Sequence, residues 1–163
     1  AGEEFTLGVL VQANHGIRRW LNILGKPVGQ MISEGAWRSA DLGSIIVVVA
    51  TDAPLSPLAL RHVARRAGLG LARGGTPGGN SSGDIFLAFS TADIGPMPQK
   101  AGPRIAREEI NMETLDPLYL ATVEAVEEAV VNALVAGEDV ATFRPAGRMV
   151  PAIGAERLRR ICV

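Results

Sequence analysis

The chain has 163 residues, enough for one domain with a core of its own. It is 47% hydrophobic and 20% charged with a net charge of −1, so it reads as globular and lacks the basic footprint of a nucleic-acid or anionic-membrane binder. No apolar run reaches transmembrane length, and the lone Cys162 supports neither a disulfide framework nor a cysteine zinc site.

The sequence opens on Ala1-Gly2-Glu3-Glu4 without a methionine or a signal peptide. We read it as part of a longer precursor, cytoplasmic unless an export signal lies upstream. Phe5 to Asn14 is short, rich in β-formers and ends in polar residues, which predicts a strand. Trp20 to Val28 reads as a second strand turning at Gly25-Lys26-Pro27, and residues 29–43 as a connecting loop. Ser44 to Thr51 is a continuous apolar run and predicts a strand buried on both faces. Ser56-Pro57 is an N-cap followed by proline at the first helical position. Leu58, Leu60, Val63, Ala64 and Ala67 then form an apolar helix face ending near Gly68 or Gly70, with Arg61, Arg65 and Arg66 outside. Residues 74–83 are a glycine-rich loop, 84–91 a strand, and 92–112 an exposed excursion. Leu115 to Ala136 is the longest predicted helix, offering Leu120, Val123, Ala125, Val130 and Leu134 for burial. Residues 155–161 form a last short helix. Strands and helices in this order, without regular alternation, predict a layered α/β sandwich.

Gly43-Ser44 before an apolar strand has two readings. The glycine ends a loop and the serine merely opens a strand, or the pair is a self-cleavage junction. In the second case the Ser44 hydroxyl attacks the Gly43 carbonyl, and hydrolysis of the resulting ester frees the Ser44 amine. A free α-amine has a reference pKa of about 7.7–8.0, close to what a general base needs at neutral pH. Asn14 is either a turn-former or an amide donor to an oxyanion. Ser81, Ser82 and Asp84 belong to a flexible turn, or they orient a neighbouring amine and relay a proton. The glycine-rich loop lacks G-K-[ST], and Gly68-Leu69-Gly70 does not extend to a dinucleotide fingerprint, so no nucleotide site is expected. His15 and His62 read as surface or loop residues. Asp52 reads as a cap on the turn into Pro54, and Glu124, Glu127, Glu128 and Glu138 as a solvated face.

Three separated segments, Gly8 to Asn14, Gly43 to Leu55 and Ser82 to Ala92, resemble the DmpA-like family of L-aminopeptidase/D-esterases and β-peptidyl (BapA-like) aminopeptidases. The helical stretch Glu127 to Leu134 fits as well. The resemblance implies a four-layer αββα sandwich like that of N-terminal nucleophile hydrolases. It implies cleavage between Gly43 and Ser44, with 1–43 the tail of an α subunit and 44–163 the β subunit. Ser44 is then the nucleophile, Asn14 the oxyanion donor, Ser82 the assisting serine and Asp84 the supporting carboxylate, where β-peptidyl members carry a glutamate. It further implies a small peptide, amide or ester substrate, an upstream α-subunit portion as partner, a homo-oligomer of αβ units, and no metal or cofactor. The other readings are an incomplete non-catalytic fragment and an acyltransferase of a related self-cleaving fold.

Overall fold

The computed structural model describes residues 3–32, 34–36, 43–92, 99, 102–104 and 106–162. Strands β1 (Leu7–Asn14), β2 (Ser44–Thr51) and β3 (Ile85–Ser90) form a three-stranded sheet in that order. β1 runs antiparallel to β2, with Leu7 opposite Thr51 and Asn14 opposite Ser44. β3 runs parallel to β2, with Ile46 opposite Ile85. Parallel neighbours need a crossover, and helix α2 (Pro57–Arg73) supplies it. The short helix α1 (Val28–Met31) precedes β2, and α3 (Asp116–Val135) follows β3. Helices α2 and α3 pack on each other and on the same sheet, α2 against β3 and α3 against β1.

The main core lies between sheet and helices. Ile45, Val47 and Val49 of β2 meet Ala59, Val63, Ala67 and Leu71 of α2, together with Leu115 and Val126. The β-branched residues of β2 suit a pleated surface and point alternately to its two faces. This alternation corrects the expectation of a strand buried on both sides. Val47 is fully buried, whereas Ile46 is 40% exposed. Leu10, Ile85, Leu87 and Phe89 also stand exposed, on the sheet face away from the helices. Among the described residues the three-stranded sheet thus carries one helical layer, half of an αββα sandwich.

Several sequence readings shift at this level. The expected strand over 20–28 is instead a 3-10 turn (Arg18–Trp20), a tight antiparallel bridge of Ile23 with Lys26, and the start of α1. Helix α1 also occupies part of the expected 29–43 loop, and residues 33 and 37–42 of that stretch lie outside the described residues. The Ser56 hydroxyl accepts from the Ala59 N–H and caps α2 as predicted, with proline in the first turn. The helix does not stop at Gly68 or Gly70 but runs to Arg73. Its buried face is Ala59, Val63, Ala67, Gly70 and Leu71, and Leu58 is exposed. In α3 the buried residues are Thr122, Val123 and Val126, and Leu120 is exposed. Asp52 caps no turn into Pro54; its Oδ1 accepts the Thr6 N–H at 2.7 Å and ties the start of β1 to the end of β2. Glu127 is not simply solvated, since it pairs with Arg73 of α2 at 3.2 Å. Much of the expected 92–112 excursion, including Gly95, Pro96 and Pro98, lies outside the described residues.

A second, smaller core contains Ile23, Val28, Ile32 and Leu158. Leu158 belongs to the last helix, α4 (Ala155–Cys162), one residue longer than the sequence reading. Between α3 and α4 lies a short hairpin of β4 (Val140–Ala141) and β5 (Met149–Val150), which the sequence did not suggest.

Candidate active site

Ser44 is the first residue of the middle strand, so it sits at the rim of the sheet with a neighbour on each side. On one side, Asn14 ends β1 and pairs opposite it. The half-buried His15 follows Asn14. On the other side, the chain enters β3 through Ser82, Gly83 and Asp84.

Gly43 is buried against the β1 end. A Cβ at this position would stand 1.7 Å from the Asn14 carbonyl oxygen and 3.0 Å from the His15 Cα. No side chain fits there, so the glycine is required by close backbone approach. The peptide bond preceding Ser44 is therefore pressed onto the residue that ends β1.

Ser44 Oγ accepts the Gly83 N–H at 2.9 Å. A main-chain donor to this oxygen favours negative charge on it and leaves its own O–H to donate elsewhere. Gly83 is held in place by Asp84. One carboxylate oxygen, Oδ1, accepts the Ile45 N–H at 3.1 Å and the Ser82 hydroxyl. This ties the 82–84 loop to β2 one residue beyond the point where the strands become regularly paired. The structure thus brings Asn14, Gly43, Ser44, Ser82 and Asp84 together. The Ser82 hydroxyl hydrogen goes to Asp84, while Gly83 is the residue that touches the serine oxygen. The role of Gly83 carries no side-chain signal in the sequence, because a backbone N–H belongs to every residue type but proline. The available signal was its lack of a side chain, since a Cβ there would lie 3.3 Å from Ser44 Oγ.

His62 takes no part in this cluster. It lies on α2 with Nδ1 3.5 Å from the Tyr119 hydroxyl, and Arg66 stacks 4.0 Å from the centre of the same ring. Among the described residues no three His, Cys, Asp or Glu side chains gather to hold a metal ion, and no helix is long and apolar enough to cross a membrane.

Comparison with known proteins shows the family and the fold. The β-peptidyl aminopeptidase BapA of Sphingosinicella xenopeptidilytica is 42% identical over 148 residues, covering 82% of this chain and 37% of the relative. The structure of the L-aminopeptidase D-Ala-esterase/amidase of Ochrobactrum anthropi, described as a prototype of the serine aminopeptidases and a variant of the Ntn hydrolase fold, superposes with a TM-score of 0.85 at 54% identity. That match covers 96% of this chain and 43% of the other. A β-aminopeptidase from Burkholderia sp. superposes with a TM-score of 0.79 at 42% identity, covering 96% of this chain and 45% of the other. The chain shares the Ntn hydrolase fold of these structures and spans less than half the length of each relative. Peptidase family S58 matches residues 1–147, and the chain belongs to that family.

Proposed function

We propose that this chain is the part of a self-cleaving N-terminal serine aminopeptidase that carries the cleavage junction and the nucleophile. The observation that carries the reading is the Gly43-Ser44 junction itself. Its glycine is pressed against Asn14, and its serine oxygen is held by the Gly83 N–H. The Ser44 hydroxyl attacks the Gly43 carbonyl, and the C–N bond breaks as the acyl group passes to oxygen. Water then hydrolyses the ester, leaving a carboxylate on Gly43 and a free amine on Ser44. Residues 1–43 become the tail of an α subunit and 44–163 the β subunit, with the rest of the α subunit upstream.

In the mature enzyme the Ser44 hydroxyl attacks the carbonyl of the first residue of a short peptide, amide or ester. The Ser44 amine takes the hydroxyl proton and returns it to the leaving group. The Asn14 side-chain amide donates to the oxyanion, a contribution typically worth about 2.7–4 kcal/mol. Asp84, with Ser82, holds the 82–84 loop so that the Gly83 N–H stays on Ser44 Oγ. The acyl group on Ser44 is then released by water. The names of the relatives support L-, D- and β-amino acid derivatives as the substrate class. The αβ units assemble into a homo-oligomer without a cofactor.

Intact mass of the denatured full-length protein, beside Ser44→Ala, tests the reading. A fragment beginning at Ser44 that is absent from the variant is the expected result. One uncut chain in both would overturn it.

A further inference from the structure

We propose that the C-terminal segment 151–162 is a clasp for residues 18–35, the stretch that lies on the opposite side of the Gly43–Ser44 junction. The proposal rests on the cleavage reading above. In the continuous chain, the sequence between Asn14 and Ser44 is pinned at both ends, because these two residues are paired neighbours in the sheet. Cutting before Ser44 frees one end. A segment pinned at both ends then becomes a tail, and a tail frays unless other contacts hold it.

The Asn22 N–H donates to the Gly74 carbonyl at the end of α2, and Val131 and Leu134 of α3 pack on the cluster of Ile23, Val28 and Ile32, but most of the contacts described come from the segment around α4. Leu158, only 4% exposed, fills the centre of a cluster with Ile23, Val28 and Ile32. The Lys26 ammonium donates to the carbonyl oxygens of Ile161 and Cys162, at 3.0 Å each. These carbonyls lie in the last described turn of α4, where a cation complements the helix dipole. Pro151 packs so closely on Gly35, which has φ +74°, that a Cβ at Gly35 would stand 2.9 Å from the proline ring. Arg157 pairs with Glu34 at 3.0 Å, an exposed contact that adds little. The clasp is itself anchored, since Asp139 Oδ1 accepts the Ala152 N–H at 2.8 Å. Apolar burial, a cation at the last described turn of α4 and a ring against a glycine therefore all join the two sides of the cut. The match to the peptidase family ends at residue 147, and the clasp lies beyond it.

The test is hydrogen exchange of peptides covering residues 21–32 in the full-length protein, cut and uncut, with Ser44→Ala as the continuous reference. In the wild type these peptides exchange as slowly after the cut as before it. In Leu158→Ala they stay protected while the chain is continuous and exchange about thirtyfold faster or more once it is cut. Lys26→Met, which keeps the stem and loses the donors, shows the same dependence on the cut with smaller amplitude, and it decides the matter if Leu158→Ala fails to fold. Equal protection in the cut and uncut variants, or loss of protection in the cut wild type, overturns the clasp. If mass shows no self-cleavage, the functional reading fails separately. A site-specific protease sequence inserted after the exposed Ala36 in Ser44→Ala then supplies the cut, and the same comparison decides.

Discussion

At the scale of single residues, the junction depends on space on one side and on hydrogen bonds on the other. Gly43→Ala places a methyl group 1.7 Å from the Asn14 carbonyl oxygen, a distance no packing tolerates, so the rim of the β1–β2 pair must open. The expected product is a single uncut chain, read by intact mass with Ser44→Ala as the uncut reference. Asp84 serves differently, because one of its oxygens gathers the Ile45 N–H and the Ser82 hydroxyl. Asp84→Ala releases the loop that carries Gly83, and two charge-assisted bonds are lost. We expect kcat on an aminoacyl amide to fall by about tenfold to a hundredfold. Ser82→Ala, which leaves the Ile45 bond in place, should lose less. A Ser82 variant slower than the Asp84 variant would mean that the serine acts directly on the reacting atoms. The resemblance points to Ser44, Asn14, Ser82 and Asp84, and the structure places these four residues at one rim of the sheet. Gly83 was not legible in the sequence, because its contribution is a main-chain N–H.

At the scale of elements, the sequence located strands and long helices well where an apolar run stood alone, as in Ser44 to Thr51. It failed where a glycine had two explanations. Gly68 and Gly70 predict the end of α2, since glycine favours helix termini. Instead, α2 passes straight through, and Gly70 marks the crossing with α3. A Cβ there would lie 2.6 Å from the Val123 carbonyl oxygen and 2.8 Å from the Val126 Cβ. Gly70→Ala gains about 1 kcal/mol of helix propensity. It also forces apart two backbones that cannot yield locally, and overpacking of this kind costs about 1–3 kcal/mol. The contact outweighs the propensity, so denaturant unfolding should show a net loss of stability, whereas a gain would mean that α3 shifts freely. The expected strand at 20–28 failed for a related reason. Its apolar residues Ile23 and Val28 face the α4 cluster and have no strand partner in the sheet, and local pattern does not reveal a partner more than a hundred residues away.

At the scale of the whole molecule, the sheet is covered on one face and open on the other. Leu10, Ile46, Ile85, Leu87 and Phe89 form an apolar face of the kind that marks an interaction surface. That accords with a chain spanning less than half the length of its relatives. The layer order was legible from the resemblance of three segments, but which face lies open came only with the pairing register. The strand order has one more consequence. On the proposed cleavage, β1 and β2 belong to one polymer before scission, and their pairing is a unimolecular event. After scission the same ladder, from Leu7 opposite Thr51 to Asn14 opposite Ser44, joins two molecules. Mass action then governs it, so the melting temperature of the mature protein should climb more steeply with protein concentration than that of Ser44→Ala. Calorimetry over a dilution series checks this. A protein that matures in this way exchanges a fold it can regain alone for one whose recovery depends on the two pieces meeting again.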